Sequence, residues 1–214
     1  MSDINRRFIV FDGVEGCGKS TQARLLAEAL EAEGHQTVLT LEPGGTAVGE
    51  AVRHCLLNPA FEEMHELTEA FLFCADRAQH VLEVIRPALE AGKIVISDRY
   101  ASSTMVYQGY AGGVGAEAIE VLNWYATRGL QPDLLIVLDL DPLVGLRRKR
   151  GDLADRIERK SVEFHRRVRD GFVEYAQSLG PRAVVLDADR DHLPVAQDVL
   201  ALVEQVPAEQ QAQC

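Results

Sequence analysis

Phe8-Ile9-Val10-Phe11-Asp12-Gly13-Val14-Glu15-Gly16-Cys17-Gly18-Lys19-Ser20-Thr21 joins an apolar, β-rich run, a glycine-rich turn and the opening of a helix, and it spells G-x-x-x-x-G-K-S. Gly13, Gly16 and Gly18 admit backbone angles that other residues resist, so successive N–H groups can curl around a phosphate. Those donors sit at a helix N-terminus, where the macrodipole also favours an anion. Gly13, Val14, Glu15, Gly16, Cys17, Gly18, Lys19, Ser20 and Thr21 therefore form the expected ATP-binding set. Lys19 is expected to reach the β- and γ-phosphates, and the Ser20 hydroxyl to ligate the magnesium ion that bridges them. Asp12, at the strand's end, is placed to hold a water of that metal. The plainer alternative is a glycine-rich turn with a lysine beside it. Against it stands the helical pattern that follows, Gln22 to Glu33 with Leu25, Leu26, Ala29 and Leu30 on one face, ending at Gly34.

At 214 residues the chain fits one α/β domain spanning residues 1–214, large enough for a substantial core. No run approaches the length of a membrane span, and Met1–Arg7 leads into the first strand without a signal-type apolar region, so the cytoplasm is the expected compartment and no membrane partner is expected. Cys17, Cys55, Cys74 and Cys214 lack metal-type spacing and read as reduced thiols. Cys17, at a helix N-terminus beside Lys19, is a candidate for a lowered pKa; otherwise it is a small loop filler. A formal net charge of −11 opposes nucleic-acid binding by a simple basic patch. Yet ten basic and four acidic residues fall between Arg147 and Arg169, a local positive excess in an acidic protein.

Further β-rich runs stand at Thr37–Leu41, Ile94–Ser97, Leu134–Leu140 and Ala183–Leu186, with helical patterns between them, among them His65–Ala91 and Leu193–Val206. The alternation predicts five parallel strands with helices on both faces, and ligands gathered at the carboxyl ends of the strands. The third strand ends at Asp98-Arg99, a charged pair costly to bury alone: Asp98 can hold magnesium or its waters, and Arg99 can clamp a phosphate through its planar fork. The alternative is an ion pair capping the strand. On the long helix, Glu69, Phe73 and Arg77 share one face, suited to sandwiching a planar ring; spacing alone favours the other reading, Phe73 in the core and Arg77 on the surface. The segment from Arg147 to about residue 158 reads as a mobile lid whose cations close over transferring phosphates, or as a solvated helix face. The polar tail, residues 207–214, is expected to fray.

Taken together, Gly13–Thr21, Glu42-Pro43-Gly44-Gly45-Thr46, Asp98-Arg99-Tyr100, Tyr107-Gln108-Gly109 and the arginine-rich stretch ending Asp155-Arg156-Ile157-Glu158 resemble the bacterial thymidylate kinases, from Phe8 to about Val206. The resemblance implies an α/β P-loop kinase fold and transfer of phosphate from ATP, with Mg2+, to dTMP. It implies that Phe73 stacks on thymine, that Arg77 hydrogen-bonds its carbonyl, and that Thr104 and Gln108 meet the base edge. Arg99, with Arg53, would hold the acceptor phosphate, and Tyr107 would crowd the sugar's 2′ position. Lys19, Asp12 and Arg99 would serve the transfer step, with Arg150 and Arg156 supplying the catalytic cations from the lid, in which Arg147 and Arg148 are the other candidates. Leu41 departs from the family, in which arginine commonly precedes the Glu-Pro-Gly-Gly loop. The resemblance also implies a homodimer. Two other readings are open: another small-molecule P-loop kinase, and a non-catalytic nucleotide-binding regulatory module.

Overall fold

A computed structural model describes residues 7–149 and 154–205. Arg150 and residues 151–153 of the expected lid, and the tail at 207–214, lie outside the described residues.

The chain runs β1 (Phe8–Gly13), α1 (Lys19–Ala32), β2 (Thr37–Leu41), α2 (Ala47–Leu57), α3 (Glu66–His80), α4 (Arg86–Glu90), β3 (Ile94–Asp98), α5 (Ala101–Thr104), α6 (Ala116–Thr127), β4 (Leu134–Asp139), α7 (Pro142–Arg148), α8 (Val162–Ser178), β5 (Ala183–Asp187) and α9 (His192–Gln205). The five strands are parallel, in the order β2-β3-β1-β4-β5. The three inner strands are buried over nearly their whole length, as strands covered by helices on both faces must be. Phe8 on β1 meets the edge of Tyr100 with ring centroids 4.8 Å apart.

The helix expected over His65–Ala91 is not uniform. α3 passes through a wider, π-helical turn at Val81–Ile85 into α4, whose first turn contains Pro87. Proline has no N–H to donate, and the widened turn absorbs the interruption without ending the helical path.

Strand order explains where a site forms. From β1 the chain leaves towards β2 on one side of the sheet, and from β3 it returns across β1 to β4 on the other. The diverging exits open a crevice at the carboxyl ends of β1 and β3, where Gly13–Thr21 and Asp98-Arg99 lie. No helix among the described residues is long and apolar enough to cross a membrane.

Candidate active site

The loop between β1 and α1 is wrapped closely on its neighbours. Gly16 has φ 70, and a Cβ there would stand 2.1 Å from the carbonyl oxygen of Gly145 on α7; a Cβ on Gly145 would stand 2.0 Å from the Glu15 oxygen. The two glycines let α7 cross directly behind the phosphate loop. Lys19 Nζ donates to the Val14 and Gly13 carbonyls at 2.8 and 3.3 Å, so the ammonium is stored within the loop it serves. Ser20 Oγ donates to Asp98 Oδ2 at 2.5 Å.

A cavity of about 600 Å³ opens over this loop, bordered by Lys19, Ser20, Asp98, Arg53 and Arg148, among others. Behind it lies a smaller one of about 50 Å³, bordered by Phe73, Thr104, Tyr107, Gln108 and Ile157. Glu15 and Arg99 border both. A third, of about 320 Å³, lies over the outer side of the loop, with Cys17, Thr21, Arg148, Ala188 and Arg190 on its walls.

Arg99 governs the seam between the first two cavities. Its φ of 76 places a non-glycine residue in the left-handed region, a strain of about 1–2 kcal/mol. Its N–H donates to Phe11 and its carbonyl accepts from Ser97 Oγ, which hold that conformation. The guanidinium is thereby aimed back at the end of β1: it ion-pairs with Glu15 and, at 3.2 Å, with Asp12, and donates to Ser103 at 3.1 Å. Burial drives the Glu15 carboxyl up, but Arg99, Lys19 and Lys149, with the Tyr107 hydroxyl, outweigh it and hold the group down at about 2. Glu15 is thus a permanent anion among cations that a phosphate would also attract.

Asp12 departs from expectation. It is fully buried; Oδ1 accepts from Ser103 Oγ at 2.7 Å and from Arg99, and Oδ2 from Ser102 Oγ at 2.7 Å. It does not border the large cavity, and in this arrangement it ties α5 and Arg99 to β1. Burial outweighs these partners and raises its carboxyl above the ordinary range. The candidate metal oxygens are therefore those of Ser20 and Asp98, which do border the cavity. Among the described residues no three His, Cys, Asp or Glu side chains gather to hold a metal. A hydroxyl and one carboxylate fit magnesium, a hard ion that takes few protein oxygens and completes its shell with phosphate and water.

Phe73 and Arg77 reverse the reading that spacing favours. Phe73 is half-buried and borders the small cavity, while Arg77 is 1% exposed. Arg77 donates from Nε to Glu42 at 2.9 Å, from Nη1 to Thr104 and Asn123, and from Nη2 to the Tyr100 carbonyl. Of the five N–H donors of a guanidinium, one on Nη2 is not used by these partners, and Arg77 borders none of the three cavities. Glu42 also meets His80 Nδ1 at 2.9 Å, so the Glu-Pro-Gly-Gly carboxylate is internal support. Arg53 Nη1 donates to the Pro43 carbonyl at 2.6 Å beside the large cavity, which Leu41 also borders without a charge.

The lid divides. Arg156 is 4% exposed and turned inward: Nε donates to Leu56 O at 2.8 Å and Nη1 pairs with Glu69 at 2.6 Å. This pairing roots the lid on α3; the buried Nη2 of Arg156 has no hydrogen-bond partner, and Arg156 borders none of the three cavities. Arg147 donates back to the Leu143 carbonyl of its own helix. Arg148 and Lys149 border the large cavity instead, and Lys149 Nζ lies 3.6 Å from Glu15. Cys17 is buried and its thiol is pushed up chiefly by burial, although Lys19 and Arg99 oppose it, the reverse of the lowered pKa that its place beside Lys19 suggests.

A phosphate loop at the switch point of a parallel sheet, facing a second cavity across an arginine, defines a P-loop kinase of small molecules. The thymidylate kinase family model matches residues 11–199. A thymidylate kinase of Symbiobacterium thermophilum is 50% identical over 199 residues, covering 93% of each chain, and one of Synechococcus sp. is 49% identical over 197 residues, covering 92% of this chain and 95% of its own. The crystal structure of thymidylate kinase from Ehrlichia chaffeensis superposes with a TM-score of 0.76 at 34% identity, over 92% of this chain and 98% of that one. The chain belongs to the thymidylate kinase family.

Proposed function

We propose that the chain transfers the γ-phosphoryl group of ATP to the 5′-phosphate of dTMP, giving dTDP and ADP, at the seam between the two cavities. The observation that carries this reading is that Glu15 and Arg99 border both cavities, so a donor over Lys19 and an acceptor beside Tyr107 meet there. Lys19 and the backbone donors from Gly13 to Thr21 hold the triphosphate; Arg148 and Arg190 line the outer cavity that suits the rest of the nucleotide. Arg99 and Arg53 grip the acceptor phosphate, Phe73 stacks on thymine, and Arg77, Thr104 and Gln108 meet its edge. Tyr107, beside the sugar, disfavours a 2′-hydroxyl. Ser20 and Asp98 would hold magnesium, which would supply charge neutralisation at the phosphates. Positioning and charge do the catalytic work, with Arg148 and Lys149 adding cations from the near end of the lid and Arg150 from its middle. Cytoplasmic location fits this nucleotide chemistry. Pairing of two copies fits the exposed Phe71 on α3 and Trp124 and Tyr125 on the adjoining α6.

A coupled ADP-release assay with dTMP, dUMP, UMP, CMP and AMP tests the assignment. ADP formation should be fastest with dTMP by a large factor. Equal rates across the panel would make this another P-loop kinase, and tight ATP binding with no ADP formed would make it a regulatory module.

A further inference from the structure

Glu69 on α3 is 1% exposed and gathers several donors. Its Oε1 accepts from Gln108 Nε2 at 2.6 Å and Lys160 Nζ at 3.2 Å; its Oε2 pairs with Arg156 Nη1 at 2.6 Å. A carboxylate facing two cations has only lone pairs to offer, so the end of the Gln108 amide that meets it is the NH2. The amide is planar, with oxygen and nitrogen on separate arms. Committing the nitrogen to Glu69 turns Oε1 the other way, and Gln108 borders the small cavity beside Thr104 and Phe73. The Thr104 oxygen already accepts from Arg77 Nη1 at 2.9 Å, which leaves its own proton to give. The wall thus offers an acceptor next to a donor.

We infer that Glu69, which does not itself border the cavity, sets which pyrimidine the enzyme accepts by holding Gln108 in one of its two amide orientations. The resulting wall complements a ring N–H beside a carbonyl, as in thymine or uracil, and opposes cytosine, whose ring nitrogen accepts and whose amino group donates. Glu69 is a positioning residue, and the inference rests on the reading of Gln108 as a residue that meets the base.

The test is the ratio of kcat/KM for dTMP to that for dCMP. Glu69→Gln can donate as well as accept, which restores the second orientation of Gln108. The ratio should fall on the order of tenfold or more, mainly through the two KM values, because mispaired polar groups dominate such discrimination. If both substrates slow together and the ratio holds, Glu69 is only structural and the inference fails. Since Glu69→Gln leaves Arg156 and Lys160 uncompensated, the same ratio is read in E69Q/K160M, which keeps the local net charge of the wild type. In the wild-type dTMP complex, a 15N–1H spectrum should also show one Gln108 Nε2 proton protected from exchange; two freely exchanging protons overturn the inference even if neither variant folds. Gln108→Ala separates the two levels. If it leaves the ratio unchanged, the base-reading role of Gln108 fails; if it collapses the ratio while the Glu69 variants do not, only the inference does.

Discussion

Glu15 of the phosphate loop and Arg99 at the end of β3 are ion-paired at the seam where the large cavity meets the small one. The guanidinium is held in place, under backbone strain, by a carboxylate standing where an anion is wanted. On the proposed function, an acceptor phosphate would compete for a clamp that is already aimed, so little of its binding energy would be spent on ordering the clamp.

Arg99→Ala should lower kcat/KM for dTMP by on the order of 10²-fold or more, through loss of a charge-assisted fork, while ATP affinity measured by titration stays near the wild-type value. Arg99→Lys should not restore it, since a point charge cannot span Glu15, Asp12 and a phosphate together. An unchanged specificity constant removes Arg99 from the site.

Lys19→Ala should reduce turnover on the order of 10²- to 10³-fold while far-UV circular dichroism is unchanged, because the side chain rests on loop carbonyls and is not part of the apolar core. A parallel loss of helicity would assign the lysine to folding.

Gly145→Ala is a substitution on α7 that should reach the phosphate loop. The new Cβ meets the Glu15 carbonyl at 2.0 Å, a backbone contact that no side-chain rotation relieves. Destabilisation of about 2 kcal/mol or more, read as a lowered Tm, should accompany a raised KM for ATP. A normal KM for ATP would show that the loop does not depend on the crossing.

Two carboxyls, Glu15 at the seam and the buried Asp76 on α3, give opposite pH responses. Glu15 is held down at about 2, so its share of stability is full above its ordinary value of 4.5 and is lost as pH falls from there towards 2. Asp76 is pushed up to about 7, first by burial and then by Glu42, against the Gly44 N–H, Arg77 and His80. Between its ordinary 3.8 and about 7 the folded state binds more protons than the unfolded chain, so this group lowers stability as pH rises through that window. Asp76→Asn abolishes that loss: the Tm difference, variant minus wild type, should be more positive at pH 8 than at pH 4.5. Equal differences at the two values refute the assignment.

The five strands and the phosphate loop were legible in the sequence because they rest on local properties: apolar runs, glycine spacing and the helical pattern from Gln22, which the structure begins three residues earlier at Lys19. The sequence could not separate residues of one type by direction. Spacing favours Arg77 at the surface and the resemblance makes Arg77 and Arg156 ligand-facing, yet partners distant in sequence, Glu42 and Glu69, hold both guanidiniums inside the protein. Asp12 stood at a strand end like a metal ligand, but the hydroxyls of Ser102 and Ser103, some 90 positions on, absorb it. Glu15 passed as one member of a loop; its place between Arg99, Lys149 and Tyr107 is a tertiary fact. Gly145 carried no signal, as it belongs to no motif.

Donor and acceptor sites that meet at the Glu15–Arg99 seam should accept a single bisubstrate ligand, adenosine and thymidine joined 5′ to 5′ through a chain of phosphates, its binding measured by calorimetric titration and competition. One molecule should bind per chain, compete with both ATP and dTMP, and lose affinity in both Lys19→Ala and Arg99→Ala. Binding that ATP displaces and dTMP does not would contradict a shared seam.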